Sequence, residues 1–250
     1  VQTCALPISA PALRERWQRA CEAWRALPGR RAHVALLESA LESLPGILQG
    51  RVAATTVLFP QGSMSAVEGV YRGNRLADHY NAVLAESLLA EVQGRLRADP
   101  GARLRLFEIG AGTGGTSAAL FDALAPWAPQ VEAYVYSDVS PAFLQHGEQH
   151  FRARAPYLQT RLFDVERPLA AQGEPAGRCD AVIATNVLHA TRDIRQALRQ
   201  AKALLRPGGV LLLNELSRFS LFTHLTFGLI EGWWRHADAA LRLPGTPALA

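Results

Sequence analysis

The sequence predicts an α/β fold: a Rossmann-like parallel sheet covered by helices on both faces, preceded by an all-helical N-terminal subdomain. Two features of the 250-residue chain predict this fold. Up to about residue 99, apolar residues recur at intervals of three and four, which is typical of amphipathic helices. From Leu104 onward, short apolar runs alternate with helical patterns, which is typical of βαβ units and a parallel sheet.

The N-terminal subdomain is assigned to residues 10–100. Pro28-Gly29 and Pro45-Gly46 interrupt its apolar pattern and are expected to separate short helices. Leu58–Ser63 is expected to form a loop that leads into another short helix. A longer helix is predicted from about Leu76 to Arg97.

The second part of the chain, residues 101–250, is predicted to contain five strands connected mainly by helices. The strands are expected at Leu104–Ile109, Val131–Tyr136, Leu158–Phe163, Ala181–Thr185 and Val210–Leu213. The helices are expected at Thr116–Leu124, Pro141–Ala153 and Asp193–Leu205. Pro207–Gly209 is the predicted turn into the last strand. A further helix is predicted around Leu221–Trp234.

A glycine-rich turn follows the first predicted strand, where Gly110, Gly112 and Gly114 lead into a helix. Glycine lets the backbone pass close to a ligand where a Cβ atom would clash. The N-terminus of the following helix also presents free N–H groups. The turn alone predicts a nucleotide site without identifying the nucleotide.

Three acidic residues near the ends of predicted strands narrow the choice of ligand. Glu108 lies two residues before the first glycine, Asp138 follows the second strand, and Asp164 follows the third. A carboxylate such as Asp138 can accept the hydroxyls of a ribose. Glu108 would repel the pyrophosphate of NAD but attract the ammonium of S-adenosylmethionine, and Asp164 suits an adenine amino group. The pattern therefore favours S-adenosylmethionine, and no hydride-transfer group supports a dehydrogenase.

Each acid also has a purely structural interpretation. Glu108 could cap the turn, Asp138 could N-cap the helix that begins at Pro141, and Asp164 could be a solvated loop residue. All three, however, fall at the carboxyl ends of strands, where ligands bind in this architecture. Their shared position favours a common role in binding the donor.

Seven segments of the chain match motifs of a known protein family. They are Leu58–Tyr71, Tyr80-Asn81, Phe107–Thr116, Tyr136–Pro141, Asn186–Asp193, Leu205–Gly209 and Leu225–Trp234. The most specific of them contain Asn-Val-Leu-His-Ala-Thr and Gly-Leu-Ile-Glu-Gly-Trp-Trp. From about residue 11 to its end, the chain resembles the C-methyltransferase domains of modular type I polyketide synthases, members of the class I S-adenosylmethionine-dependent methyltransferases.

The resemblance implies a catalytic pair. His189 and Glu215 match the family's histidine and glutamate, which deprotonate the α-carbon of a β-ketoacyl thioester on the phosphopantetheine arm of an acyl carrier protein. The usual strand order of methyltransferases would bring both residues beside the donor methyl group. A carbon between a ketone and a thioester is acidic enough for an imidazole base. The structural alternatives are a histidine that supports a strand end and a glutamate that caps or lies on the surface.

The resemblance also implies a lid and further donor contacts. In this family the helical subdomain closes over donor and substrate, and Tyr80 is expected to contact the donor unless it is a packed core aromatic. Asn186 is expected to line the donor pocket unless its amide satisfies backbone groups. Trp233 and Trp234 are expected mainly to pack in the core, and the alternative is that they line the passage for the acyl chain or its pantetheine arm.

Two other functions remain open. One is an O- or N-methyltransferase of a peptide synthetase or of a small-molecule tailoring pathway, because a base beside the methyl group suits those acceptors too. The other is a degenerate methyltransferase domain that serves as a non-catalytic spacer in a megasynthase. The acyl substrate, the carrier protein and the neighbouring polyketide synthase domains are not specified by the sequence.

The composition predicts a cytoplasmic protein that binds neither nucleic acid nor membranes. The net charge is +4, but the basic residues are scattered and nearly all arginine, so no polyanion site is expected. No apolar run approaches the roughly 20 residues needed to span a bilayer. Cys4, Cys21 and Cys179 show neither a metal-ligand spacing nor a disulfide framework, so no metal site is expected.

Both ends of the chain are expected to be incomplete. Residues 1–9 resemble a translated sequencing adapter, and we set them aside. Methyltransferases of this class end in an antiparallel hairpin that supplies the sixth and seventh strands, and no such hairpin is recognisable after Glu215. We therefore expect a gene fragment with an exposed sheet edge, poorly stable and less active than its parent domain.

Overall fold

The computed structural model describes residues 9–249. Most of the adapter-like segment 1–9, including Cys4, lies outside the described residues. Within the described range, no helix is long and apolar enough to cross a membrane. Across the same range, no cluster of three or more metal-ligating side chains is found.

Five helices form the N-terminal part of the described chain, as the apolar pattern predicts. They are α1 (Ala10–Arg25), α2 (Arg31–Leu48), α3 (Ala54–Leu58), α4 (Ser65–Tyr71) and α5 (Arg75–Ala98). Their shared core contains Leu36 and Leu58. Three side chains from much later in the sequence pack against this core, those of Phe222, Phe227 and Ile230. The helical part is therefore joined by packing to the segment that follows the sheet.

Helix α2 is longer than expected. Pro45-Gly46 was expected to separate two helices, but α2 continues through it to Leu48, so this prediction is wrong. Proline removes one helical hydrogen bond because it lacks an N–H group. The helix end is closed beyond it by bonds from Gln49 N–H to Pro45 O (3.2 Å) and from Arg51 N–H to Gly46 O (2.9 Å).

Five strands form one parallel sheet in the order β3-β2-β1-β4-β5, which confirms the predicted fold class. The strands are β1 (Leu104–Ile109), β2 (Val131–Asp138), β3 (Leu158–Leu162), β4 (Cys179–Thr185) and β5 (Leu205–Asn214). The helices between them are α6 (Gly115–Leu124), α7 (Pro141–Phe151) and α8 (Ile194–Leu204). In such a sheet the carboxyl ends of all strands lie at one edge, where ligands bind.

Buried clusters cover both faces of the sheet. One joins Leu106 and Tyr134 of the sheet to Phe121 of α6. The other joins Phe107 and Val182 of the sheet to buried residues of α8. Since the central strands are covered on both sides, their sequences are nearly continuous apolar runs.

Strand β5 is interrupted near its start. Its pairing with β4 shifts register between Cys179 and Ala181, because Pro207–Gly209 loops out with Gly208 at φ +75°. This loop is the turn predicted from the sequence. Regular pairing resumes where Val210 meets Ala181, at the predicted start of the strand.

The long helix predicted for Leu221–Trp234 is wrong, because only α9 (Leu221–Leu225) is α-helical. Two short 3-10 turns, at Phe227–Leu229 and Glu231–Trp234, follow it. At the break, the hydroxyl of Thr226 donates to the carbonyl of Phe222 (2.7 Å). Thr226 itself has φ −119° and ψ −86°, outside the helical region, so α9 ends before it.

Substitution of Gly147 by alanine is expected to destabilise the protein and to disturb the glycine turn. A Cβ at this position of α7 would lie 2.7–3.0 Å from the ring of Tyr136, whose hydroxyl donates to Gly112 O (2.6 Å). Urea denaturation is expected to show a loss of about 1–3 kcal/mol. Gly94→Ala in α5 is the matched control, because its Cβ would meet only the Arg97 guanidinium at 3.9 Å. It is expected to stabilise by about 0.5–1 kcal/mol, and an equal gain for Gly147→Ala would contradict the packing of α7 on β2.

Candidate active site

The glycine turn after β1 adopts a backbone conformation that favours glycine. Gly110, Gly112 and Gly114 have φ angles of +63°, +57° and +72°. This left-handed region is one that residues other than glycine rarely adopt. A Cβ at Gly110 would also lie 2.3 Å from Cγ2 of Val187, and one at Gly114 would meet the ring of Phe151 at 2.3 Å. The turn is therefore pressed between the loop after β4 and helix α7.

Asp138, at the end of β2, holds the glycine turn. Its Oδ2 accepts the N–H of Gly112 (3.0 Å), and its Oδ1 accepts the N–H of Ser140 (2.9 Å). Burial raises the pKa of this carboxyl, and the backbone hydrogen bonds oppose that rise. Ser140 occupies the N-cap position of α7, so Asp138 is not the helix cap. Each oxygen keeps a lone pair for a ligand hydroxyl.

Glu108 is buried at the end of β1. Its Oε2 accepts hydrogen bonds from the hydroxyls of Ser117 (2.5 Å) and Tyr134 (2.6 Å), so it does not cap the free backbone N–H groups of the turn. Burial raises the pKa of Glu108 to about 7, although the two hydroxyls lower it. Among residues 9–249 no group donates to Oε1, although the residue as a whole is 1% exposed.

A shallow cleft of about 280 Å³ lies where β2 and β3 end. Val139 and Leu162 supply apolar walls, and the polar groups come from Asp164, Arg167 and Gln172. Gln172 bonds the backbone of Asp164 in both directions, accepting from its N–H (2.7 Å) and donating to its carbonyl (2.8 Å). Asp164 is therefore anchored at the cleft by its main chain, and it is partly buried rather than a fully solvated loop acid.

His189 and Glu215 contact each other in a buried environment. Nδ1 of His189 lies 2.7 Å from Oε2 of Glu215, and the two side chains are 8% and 7% exposed. Oε1 of Glu215 accepts the N–H groups of Val187 (2.8 Å) and Leu188 (2.6 Å). An ionised carboxylate only accepts hydrogen bonds, so a hydrogen bond from His189 to such a carboxylate places a proton on Nδ1.

The strand pairing explains how the two residues meet. Thr185, the last residue of β4, pairs with Asn214, the last residue of β5. The loop after β4 then forms a 3-10 turn at Leu188–Ala190, directly beside Glu215. The neighbouring ends of the fourth and fifth strands therefore lie together, as the sequence predicted.

Asn186 has a left-handed backbone conformation. Its φ angle is +53°, in a region that asparagine adopts more readily than most residues with a side chain. Its N–H donates to Asn214 O (2.8 Å), and the next residue, Val187, packs against Gly110. Asn186 therefore lies between the glycine turn and the His189 turn.

Asn81 of α5 connects the helical subdomain to the start of α6, next to the glycine turn. The sequence analysis did not identify this residue as functional. Tyr80 is 49% exposed on α5, whereas its neighbour Asn81 is buried. The hydroxyl of Thr116, at the start of α6, donates to Asn81 Oδ1 (2.9 Å), and Asn81 Nδ2 donates to Tyr71 O (3.2 Å). An asparagine on the buried face of an amphipathic helix is the only local signal that points to this role.

Tyr71, the last residue of α4, was also missed. A Cβ at Gly115 would lie 2.8 Å from the carbonyl oxygen of Tyr71, so this carbonyl packs against the start of α6. Burial and the charge of Glu215 raise the pKa of its phenol, and its ring packs on Phe227 with centroids 6.0 Å apart. Tyr71 thus lies between the glycine turn and the His189–Glu215 pair.

The two tryptophans have different positions. Trp233 is buried, and its ring meets that of His189 edge to face with centroids 5.5 Å apart. Trp234 is 49% exposed, and its Nε1 donates to Gly228 O (2.8 Å). The expected core packing is therefore found for Trp233 and not for Trp234.

The polar groups of this edge fit S-adenosylmethionine. Glu108 has an unused carboxylate oxygen for an ammonium, and Asp138 has acceptor capacity for ribose hydroxyls. The cleft beside Asp164 combines apolar walls with an acid, which suits an adenine ring and its amino group. These three acidic residues thus match S-adenosylmethionine in charge and in hydrogen-bonding type.

Comparisons with known proteins show which proteins this chain resembles. A family model described as a methyltransferase domain matches residues 107–211. The chain is 51% identical over 233 residues to the polyketide synthase PksM of Bacillus subtilis (strain 168), a match that covers 93% of this chain and 6% of that protein. This chain therefore spans a small part of that curated relative.

Two solved structures are similar over most of the chain. The DszA carbon methyltransferase is 38% identical with a TM-score of 0.89, and the match covers 95% of this chain and 61% of that one. The trans-methyltransferase CalH, solved as a complex with SAH, is 29% identical with a TM-score of 0.74, and the match covers 94% and 62% of the two chains.

Substitution of Glu108 by glutamine is expected to stabilise the ligand-free protein at alkaline pH. The pKa of the buried carboxyl is raised from 4.5 to about 7, so the folded state binds the proton more tightly than the unfolded state. This contribution to stability is full below pH 4.5 and is lost as the pH rises through 7. Denaturation at pH 5 and pH 8 should show a relative gain for the variant on the order of 3 kcal/mol at pH 8.

Glutamine keeps an acceptor for the hydroxyls of Ser117 and Tyr134, so the comparison isolates the charge of Glu108. Glu91→Gln, an exposed site on α5, is the control and should follow the wild type at both pH values. A stability difference between Glu108→Gln and the wild type that is the same at pH 5 and pH 8 would contradict the raised pKa.

Proposed function

This chain belongs to the S-adenosylmethionine-dependent C-methyltransferase domains of polyketide synthases, and from that premise we propose that it methylates the α-carbon of a β-ketoacyl thioester. The thioester is carried on the phosphopantetheine arm of an acyl carrier protein. The observation that carries this proposal is the buried 2.7 Å contact between His189 and Glu215 beside the glycine turn.

His189 is the general base in this proposal. With the proton on Nδ1 directed to Glu215, Nε2 is free to remove a proton from the α-carbon of the substrate. That carbon is activated by the ketone on one side and the thioester on the other, so the electrons of the broken C–H bond are delocalised onto the carbonyl oxygens as an enolate. An imidazole positioned in this way is well suited to proton transfer near neutral pH.

Glu215 orients the imidazole and stabilises its cationic form. One carboxylate oxygen is fixed by the N–H groups of Val187 and Leu188, so the other is held in place for Nδ1 of His189. The pair is buried, and its attraction is weakly screened there. The carboxylate thus favours the tautomer with a basic Nε2 and lowers the cost of charging the ring.

The donor site in this proposal lies around the glycine turn. S-adenosylmethionine, when bound, supplies an electrophilic methyl group on a sulfonium sulfur. Glu108 binds the ammonium of the donor, Asp138 binds the ribose hydroxyls, and Asp164 binds the adenine amino group. Gly110, Gly112 and Gly114 let the backbone approach the donor, because none of them carries a Cβ.

Asn186 and the helical subdomain complete the proposed site. Asn186 lines the donor pocket between the two turns. Residues 10–100 act as a lid over residues 101–249, connected to the donor turn through Asn81 and Tyr71. Tyr80, half exposed on α5, is proposed to contact the donor only when the lid closes further. Holding the donor and the carbon together supplies much of the rate.

The proposed partners follow from the nature of the relatives. The curated relative PksM is a polyketide synthase, and this chain spans 6% of it. We therefore propose that the chain works within a megasynthase, next to other polyketide synthase domains and with an acyl carrier protein as the bearer of the substrate.

Substitution of His189 by alanine is expected to abolish methyl transfer and to leave donor binding intact. Loss of the general base should lower kcat ~10²- to 10⁴-fold, because the α-proton then has no acceptor. Turnover of a β-ketoacyl carrier protein and calorimetric titration with S-adenosylmethionine provide the two measurements. His79→Ala, an exposed histidine on α5, is the control with expected wild-type turnover. Wild-type turnover in the His189 variant would reject its role as base.

Mass spectrometry of the product is expected to locate the added methyl on carbon. A β-ketoacyl carrier protein is incubated with the protein and S-adenosylmethionine, and the thioester is then cleaved. A methyl group retained at the α-position of the released acid supports the proposal. A methyl group on oxygen or nitrogen would favour the alternative acceptors, and the absence of heat on titration with the donor would favour a non-catalytic spacer.

A further inference from the structure

Arg242 is a buried arginine whose five N–H groups all have partners. Its side chain is 1% exposed. Nε and one Nη2 proton donate to the carboxylate of Asp238 (2.8 and 3.1 Å). The remaining protons reach three backbone carbonyls, those of His189 (2.8 Å), Pro247 (2.9 Å) and Thr191 (3.0 Å). A guanidinium has five donors in a fixed fork, so none is left unused.

Two of those carbonyls belong to the turn that carries the proposed base. The N–H groups at the start of this turn, those of Val187 and Leu188, donate to Glu215. The carbonyls at its end, those of His189 and Thr191, accept from Arg242. The negative Glu215 thus binds the N–H end of the turn, and the positive Arg242 binds its carbonyl end. The peptide dipoles of the turn favour this arrangement of charges.

The segment around Arg242 is itself secured next to both parts of the pair. Asp238 accepts the N–H of Ile194 at the start of α8 (2.7 Å), and Ala237 N–H donates to Arg192 O (2.8 Å). On the other side, Leu249 N–H donates to Leu216 O (3.0 Å), one residue after Glu215. The segment 237–249 therefore connects the loop after β4 with the chain that follows β5.

We propose that Arg242 is a positioning residue for the His189–Glu215 pair, which it holds in register by fixing the carbonyls of His189 and Thr191. The proposal rests on the proposed function, in which His189 is the base. Arg242 does not touch the substrate, because its donors are all occupied by protein groups. It acts through the backbone of His189, so that Nδ1 stays in line with the carboxylate of Glu215 and Nε2 keeps its direction.

Charge alone would not replace this arrangement. Lysine carries the same charge but presents a single ammonium, which cannot span the carboxylate of Asp238 and the separate carbonyls of His189 and Thr191 at once. Arg242→Lys is therefore expected to keep the protein folded and to disturb the turn. Arg242→Met removes every hydrogen bond of the guanidinium and leaves the carboxylate of Asp238 without its cationic partner, although the N–H of Ile194 still donates to it.

The test compares both Arg242 variants with Arg206→Met, which removes an arginine that pairs with Asp180 at the other end of the sheet. The first readout is the downfield proton NMR resonance of His189 Nδ1–H, identified by its loss in His189→Ala. The second is kcat with a β-ketoacyl carrier protein. The third is the Kd for S-adenosylmethionine, measured by calorimetry on each folded variant.

The proposal predicts that the resonance shifts or broadens beyond detection in both Arg242 variants and stays in place in Arg206→Met. It predicts a ~10- to 100-fold loss of kcat in Arg242→Lys, with an unchanged Kd. If Arg242→Met does not fold, the result for Arg242→Lys alone decides whether the proposal stands. An unshifted resonance in folded Arg242→Lys overturns the proposal whatever its kcat. The resonance does not depend on methyl transfer, so a wild type with the resonance but without C-methylation refutes the proposed function alone.

Discussion

The candidate site depends on one constraint, the parallel pairing of β4 with β1 on one side and with β5 on the other. This pairing brings the glycine turn, the His189 turn and Glu215 to the same edge of the sheet. Val187 fills the space that a Cβ at Gly110 would need, so the first two turns are in contact. The separation between the glycine turn and the His189 turn is therefore set by backbone pairing and close packing, which vary less than long side chains do.

The sheet was predictable from the sequence because short apolar runs and glycine turns are local signals. The contact between His189 and Glu215, 26 residues apart, was predictable only through the expected strand order. The sequence patterns misplaced two helix ends. Helix α2 continues through Pro45, and α9 ends before Thr226, whose backbone leaves the helical region.

The residues that the sequence did not reveal act through contacts between distant segments. Asn81 meets Thr116 across 35 positions, and Arg242 meets His189 across 53. Asn81 lies in a segment that matches a family motif and Arg242 does not, but no spacing in the sequence marks the partner of either residue, because the fold sets it. Glu108 illustrates a related limit: its acidity was recognised from the sequence, but the hydroxyls that hold Oε2 come from α6 and β2.

The most direct test of the central claim separates proton removal from methyl transfer. A β-ketoacyl carrier protein is incubated in D₂O with the protein and S-adenosylhomocysteine, which has no methyl group to give, and α-deuterium is followed by mass spectrometry. If His189 and Glu215 form the base, the wild type accelerates exchange at the α-carbon well above the spontaneous rate and His189→Ala does not. Equal exchange in the two proteins would contradict the account.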